Sequence, residues 1–88
     1  MTAPGRLRKR SVTLAGHRTS LSVEQVFWDE LKRLAAEEGL SLQALIARLD
    51  RERVAEGETT IGLSGAIRVY VVRRLREKLA QATQPAEE

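Results

Sequence analysis

The chain has 88 residues, 15 Lys or Arg against 12 Asp or Glu, a net charge of +3 and no cysteine. A single domain of that length buries little apolar surface unless a partner contributes to its core, so dimerisation is expected on size alone. Without cysteine there is neither a disulfide nor a thiolate metal site, and the single His17 supplies no imidazole cluster, so neither a metal nor a cofactor is expected.

No apolar run has the length of a signal-peptide core or a membrane span, which predicts a soluble, cytoplasmic protein with no membrane partner. The charge is unevenly spread: residues 1–23 balance to +5 with no acid, residues 24–58 to −4, and residues 59–88 to +2. Cations gathered at one end are the footprint of something that meets phosphate, and equally of a solvated basic tail.

Residues 1–10 combine Pro4, Gly5 and the cations Arg6, Arg8, Lys9 and Arg10, which predicts a disordered basic arm. His17 to Val23 then alternates as a strand does. Thr19, Leu21 and Val23 share one face, and Arg18, Ser20 and Ser22 share the other. One strand cannot stand alone in water, and no second strand of equal quality lies nearby. Pairing with the same segment of a second copy is therefore expected, giving a two-stranded antiparallel ribbon that displays Arg18, Ser20 and Ser22 twice. Ser11 to Leu14 alternates too, but its apolar residues Val12 and Leu14 are even-numbered, whereas those of the main strand are odd. A bulge or bend at Ala15-Gly16 accounts for the change of parity.

A helix begins near Glu24, where an acidic residue complements the helix dipole. Phe27, Leu31, Leu34 and Ala35 recur at i, i+4, i+7 and i+8, widened by Val26 and Trp28 into an apolar face. Gly39 ends it, and Ser41 caps a second helix with Leu42, Leu45, Ile46 and Leu49 on one side. The expected core, shared between two copies, is Leu21, Val23, Phe27, Trp28, Leu31, Leu34, Leu45, Ile46 and Leu49.

From Val54 the pattern lapses into a linker. Ser64 is placed to cap a third helix carrying Ile67, Tyr70, Val71, Leu75 and Leu79. Ile67 to Val72 is β-branched enough to suit a strand, but the run continues through good helix formers with no turn signal, and its length decides for a helix. The expected organisation is a basic arm over 1–10, a core over 11–56, a linker and C-terminal helix over 57–82, and a frayed tail over 83–88. The fold class is mainly α with one short β-strand per chain. With one histidine, no cysteine, no paired carboxylates in an apolar setting and no Gly-rich phosphate loop, no catalytic residue is expected and the chain is not read as an enzyme.

Strand, helix, Gly-containing turn and Ser-capped helix, in that order over Arg18 to Leu49, resemble the ribbon-helix-helix family of Arc/MetJ-type DNA-binding proteins. His17-Arg18-Thr19-Ser20, Phe27-Trp28 and Leu63-Ser64-Gly65-Ala66-Ile67-Arg68 look further like a bacterial branch with a C-terminal extension. The resemblance implies an intertwined homodimer whose antiparallel ribbon enters the major groove of double-stranded DNA. On this sequence it implies base contacts by Arg18, Ser20 and Ser22, and phosphate contacts at the N-terminus of the second helix by Ser41, Leu42 and Gln43. Arg6, Arg8, Lys9 and Arg10 would add sequence-independent phosphate contacts. The function so implied is a transcriptional regulator, most simply a repressor, with dimers able to assemble further on DNA. A second reading makes the chain an antitoxin-like interaction module, whose residues 64–80 grip a partner protein through the apolar excess of the third helix.

Overall fold

The computed structural model of the chain describes residues 3–57 and 61–83. Two strands, β1 (Leu7–Leu14) and β2 (His17–Glu24), precede three helices, α1 (Gln25–Glu37), α2 (Leu42–Ala55) and α3 (Leu63–Thr83). The order is that of a ribbon followed by two helices, with a C-terminal third helix, and the architecture is mainly helical.

The ribbon closes within one chain. β1 and β2 pair antiparallel, with Leu14 opposite His17, Val12 opposite Thr19 and Arg10 opposite Leu21. Ala15 and Gly16 connect them with φ values of 51° and 82°. Two consecutive positive φ values make the two-residue turn whose twist matches that of the flanking strands. This corrects two expectations. The fold has two strands rather than one, and β2 pairs with β1 of its own chain instead of with a second copy. In addition, residues 7–10, assigned to the disordered arm, form the first half of β1. The physical reason is the parity change at Ala15-Gly16. Across a two-residue turn, even-numbered residues of β1 face odd-numbered residues of β2, so Val12 and Leu14 join Leu21 and Val23 on one apolar face.

That face is covered by the helices. α1 contributes Trp28, Leu31, Leu34 and Ala35, α2 contributes Leu45, Ile46 and Leu49, and α3 contributes Leu63, Ile67, Tyr70 and Val71. The residues expected in a core shared between two copies are thus buried inside a single chain, except Phe27, which is only partly buried. The inner face of α3 completes the same core: Ile67 has no accessible surface.

The helix boundaries follow from local chemistry. Gly39, at φ 70°, closes α1 with its N–H on the carbonyl of Ala36, while Leu40 donates to Ala35, the paired bonds of a Schellman end. Ser41 caps α2, its Oγ accepting the Ala44 N–H at 3.1 Å. Two other expected caps behave differently. Glu24 sits at the N-cap of α1 without a side-chain capping bond, because its carboxylate pairs with Arg68. Ser64 lies inside the first turn of α3, and its Oγ accepts the backbone N–H of Ser22 at 3.1 Å. Residues 58–60 of the expected linker and 84–88 of the expected tail lie outside the described residues, whereas Thr83 of the expected tail belongs to α3.

Candidate nucleic-acid interface

Alternation along both strands leaves the outer face of the hairpin to polar residues. Lys9, Ser11 and Thr13 of β1 stand opposite Ser22, Ser20 and Arg18 of β2. The N–H of Ser22 points away from β1 towards Ser64, so these are pairs without mutual backbone bonds, in which opposed side chains come closest. The face is therefore a compact array of two cations and four hydroxyls. Arg18 and Ser20 are exposed, while Ser22 is half-buried beside α3. Arg18, Ser20 and Ser22 were legible in the sequence. Lys9 had been assigned to the arm, and Ser11 and Thr13 were missed, although the alternation from Ser11 to Leu14 was the signal that placed them.

The carboxylate at the far end of the face is neutralised. Arg68 Nε donates to Glu24 Oε1 at 2.9 Å and Arg68 Nη2 to the Ser22 carbonyl at 3.4 Å. The hydrogen bonds from Arg68 hold the Glu24 carboxyl below the usual carboxylate range, so it stays ionised and paired. Phosphate approaching the ribbon meets no unpaired acid there.

The N-terminus of α2 lies against the same ribbon. Gln43 Nε2 donates to the Thr13 carbonyl at 2.9 Å, fixing the first turn of α2 to the outer edge of β1. The backbone N–H groups of Leu42 and Gln43 belong to that first turn, where no intrahelical carbonyl reaches them, and the positive end of the helix dipole adds to their pull on an anion. A groove lined by Arg10, Val12, Trp28, Leu42, Gln43 and Ile46 runs between them. Ser41, Leu42 and Gln43 thus stand beside the ribbon.

The four cations of the expected arm are divided by the pleat. Lys9 faces outward with Arg18. Arg8 and Arg10 stand on the opposite face, in register with Val23 and Leu21. The Arg10 guanidinium lies 4.2 Å over the Trp28 ring and donates to Gln25 Oε1 at 3.1 Å. It closes one edge of the core, contrary to its expected place in a free phosphate-binding arm. Arg6 precedes β1, where its carbonyl accepts the Gln25 N–H at 2.9 Å and ties the start of the ribbon to the start of α1. His17, beside the turn, is exposed. Among the described residues no group of three or more His, Cys, Asp or Glu side chains is placed to hold a metal ion.

A family model for the ribbon-helix-helix domain matches residues 7–75, most of the chain and every element of the interface. The chain belongs to that family. Ribbon-helix-helix domains are generally DNA-binding regulators that act as dimers, and the ribbon is the element they share with this protein. Among solved structures, an uncharacterized protein from Bordetella pertussis Tohama I is similar, with 32% identity and a TM-score of 0.75 over 96% of this chain. The chain spans 66% of the length of that protein. No curated protein matches the ribbon-helix-helix chain. No helix among its described residues is long and apolar enough to cross a membrane.

Proposed function

We propose that this chain is a sequence-specific DNA-binding regulator, in its simplest form a transcriptional repressor, which lays the outer face of its hairpin in the major groove. The observation that carries the reading is the joining of that polar face to the N-terminus of α2 through the Gln43–Thr13 bond. Base readout and phosphate anchoring then move as one rigid unit. Arg18 is suited to guanine O6 and N7, and the hydroxyls of Ser11, Thr13, Ser20 and Ser22 to donors and acceptors on other base edges. The first turn of α2 clamps a phosphate, while Arg6, before β1, and Lys9, on the outer face, add contacts that carry no sequence information. A homodimer would present two such ribbons across a two-fold axis and read a palindromic or repeated operator. Cytoplasmic placement in a bacterial cell accords with this role, which involves no catalysis.

The test is selection of the purified protein on a random-sequence duplex pool at two salt concentrations, with sequencing of the retained DNA. Enrichment of a short motif is expected. Arg18→Ala should fold normally and weaken binding to that motif by about 1–3 kcal/mol. Retention without enrichment, lost as salt is raised, would leave the ribbon no role in reading sequence.

A further inference from the structure

A serine hydroxyl both donates and accepts, so it can bond an edge of any base pair and discriminates only where its oxygen is held in one place. Among the described residues, Ser22 alone of the three readers on β2 has backbone groups bonded from outside the ribbon. Its N–H donates to Ser64 Oγ at 3.1 Å, and its carbonyl accepts from Arg68 Nη2 at 3.4 Å. The N–H lies in the peptide plane before the Ser22 Cα and the carbonyl in the plane after it, so bonds to both fix φ and ψ, and with them the direction of the Cα–Cβ bond. Only the staggered choice at χ1 is left to the hydroxyl. Ser64 and Arg68 stand four residues apart on α3, hence on one side of it, and Ile67 between them has no accessible surface, which seats that turn in the core. Arg68 is itself held. Its Nε and Nη2 donate to the two carboxylate oxygens of Glu24 at 2.9 and 3.3 Å, with the guanidinium 6.0 Å from the centre of the Phe27 ring.

We propose that Ser64 and Arg68 are positioning residues for base readout: by pinning the backbone on both sides of Ser22, they set which base pair is preferred where its hydroxyl meets the groove. That role rests on the DNA-binding reading above, and it adds the C-terminal helix to the elements that decide specificity. Arg68 acts through Ser22 rather than on phosphate, because its fork is occupied by the Glu24 carboxylate and the Ser22 carbonyl. Loss of either residue therefore alters the preference at one base pair, whereas loss of a phosphate contact weakens binding to every sequence alike.

The experiment takes the motif enriched by selection with the full chain, replaces each of its base pairs in turn, and measures binding of every duplex by fluorescence anisotropy at several salt concentrations. Ser22→Ala marks the base pair that Ser22 reads, through a loss of preference there. Ser64→Ala and Arg68→Gln, each checked for the native circular dichroism spectrum, are expected to lower the preference at that same base pair by about three- to tenfold, with the other positions and the salt dependence unchanged. Ser64→Thr keeps a hydroxyl and should restore the preference, whereas Arg68→Lys keeps the charge without the fork and should not. In a Ser22→Ala background, Ser64→Ala should alter no preference further. Should Arg68→Gln unfold, Arg68→Lys carries the same comparison. A loss equal across all duplexes overturns the proposal, and if it comes with a shallower salt dependence that Arg68→Lys reverses, Arg68 is a phosphate contact instead. An unaltered preference at the base pair marked by Ser22→Ala, or a motif in which Ser22→Ala marks no position, overturns it too while leaving the DNA-binding reading in place. Selection that enriches no motif fails that reading itself, and the positioning role with it.

Discussion

Ala15 stands at φ 51°, where the Cβ of an L-residue crowds the neighbouring carbonyl oxygen at a cost of roughly 1–2 kcal/mol. The turn accepts that cost because two positive φ values are what a two-residue hairpin demands. Asparagine adopts this conformation more readily than alanine, so Ala15→Asn should raise stability by about 0.5–1 kcal/mol and the melting temperature by several degrees. A thermal melt checks it, and a lowered midpoint would contradict the turn. Glu38 is a second residue under local constraint. It lies at the C-cap of α1, the negative end of the helix dipole, and is held there by Arg48 at 2.7 Å and by the Tyr70 hydroxyl. The hydrogen bonds from Arg48 and then Tyr70 lower its pKa from 4.5 to about 2. A carboxyl whose folded pKa lies below its unfolded value stabilises the fold above the unfolded pKa, and that stability is lost as pH falls through the folded one. Glu38→Gln should therefore lower stability near neutrality and flatten the decline between about pH 5 and 2. Urea midpoints measured across that range decide the point, parallel curves for the two proteins being the contrary result.

Among the elements, the two edges of the ribbon are treated differently. The outer edge of β2 is satisfied by α3, through Ser64 Oγ on the Ser22 N–H and Arg68 on the Ser22 carbonyl. The outer edge of β1 carries Arg8, Lys9 and Arg10 in succession, and such a run of cations discourages a further strand from adding there. The same charge thus also keeps the ribbon two-stranded. Ser64→Ala removes the partner of a half-buried N–H and should cost about 1–2 kcal/mol. Because the Ser22 N–H loses its acceptor, the same change should speed hydrogen exchange at that amide. An unchanged exchange rate would show that α3 does not hold the ribbon edge.

For the whole molecule, the consequence of an intrachain hairpin is that residues 7–10 are structural. A free arm could be removed at the expense of sequence-independent affinity alone. Deleting residues 1–10 here removes half of β1 and takes Arg10 from the Trp28 ring. The deletion is expected to expose Trp28, visible as a red shift of its fluorescence, and to abolish sequence preference together with affinity. A deletion variant that kept the native spectrum and its motif would restore the arm. Leu31, Leu34, Leu45 and Ile46 are fully buried within one chain.

Local pattern was enough for much of this protein. The alternation of β2, the apolar face of α1, the stop at Gly39, the Ser41 cap and the helical character of α3 were all legible, because each depends on residues within a turn or two of one another. Arg18, Ser20 and Ser22 could be placed on one face for the same reason. Pairing was not legible. The parity change at Ala15-Gly16 was visible, but a bulge and a hairpin turn share that signature until a partner strand is known, so Lys9, Ser11 and Thr13 went unassigned to the outer face of the hairpin. The fates of Arg10 on Trp28, Glu24 on Arg68 and Ser64 on Ser22 rest on contacts between residues 15 to 44 positions apart. Charge and hydroxyl content say what such side chains can bond, and only the packing of α3 and α1 against the ribbon decides which partner comes within reach.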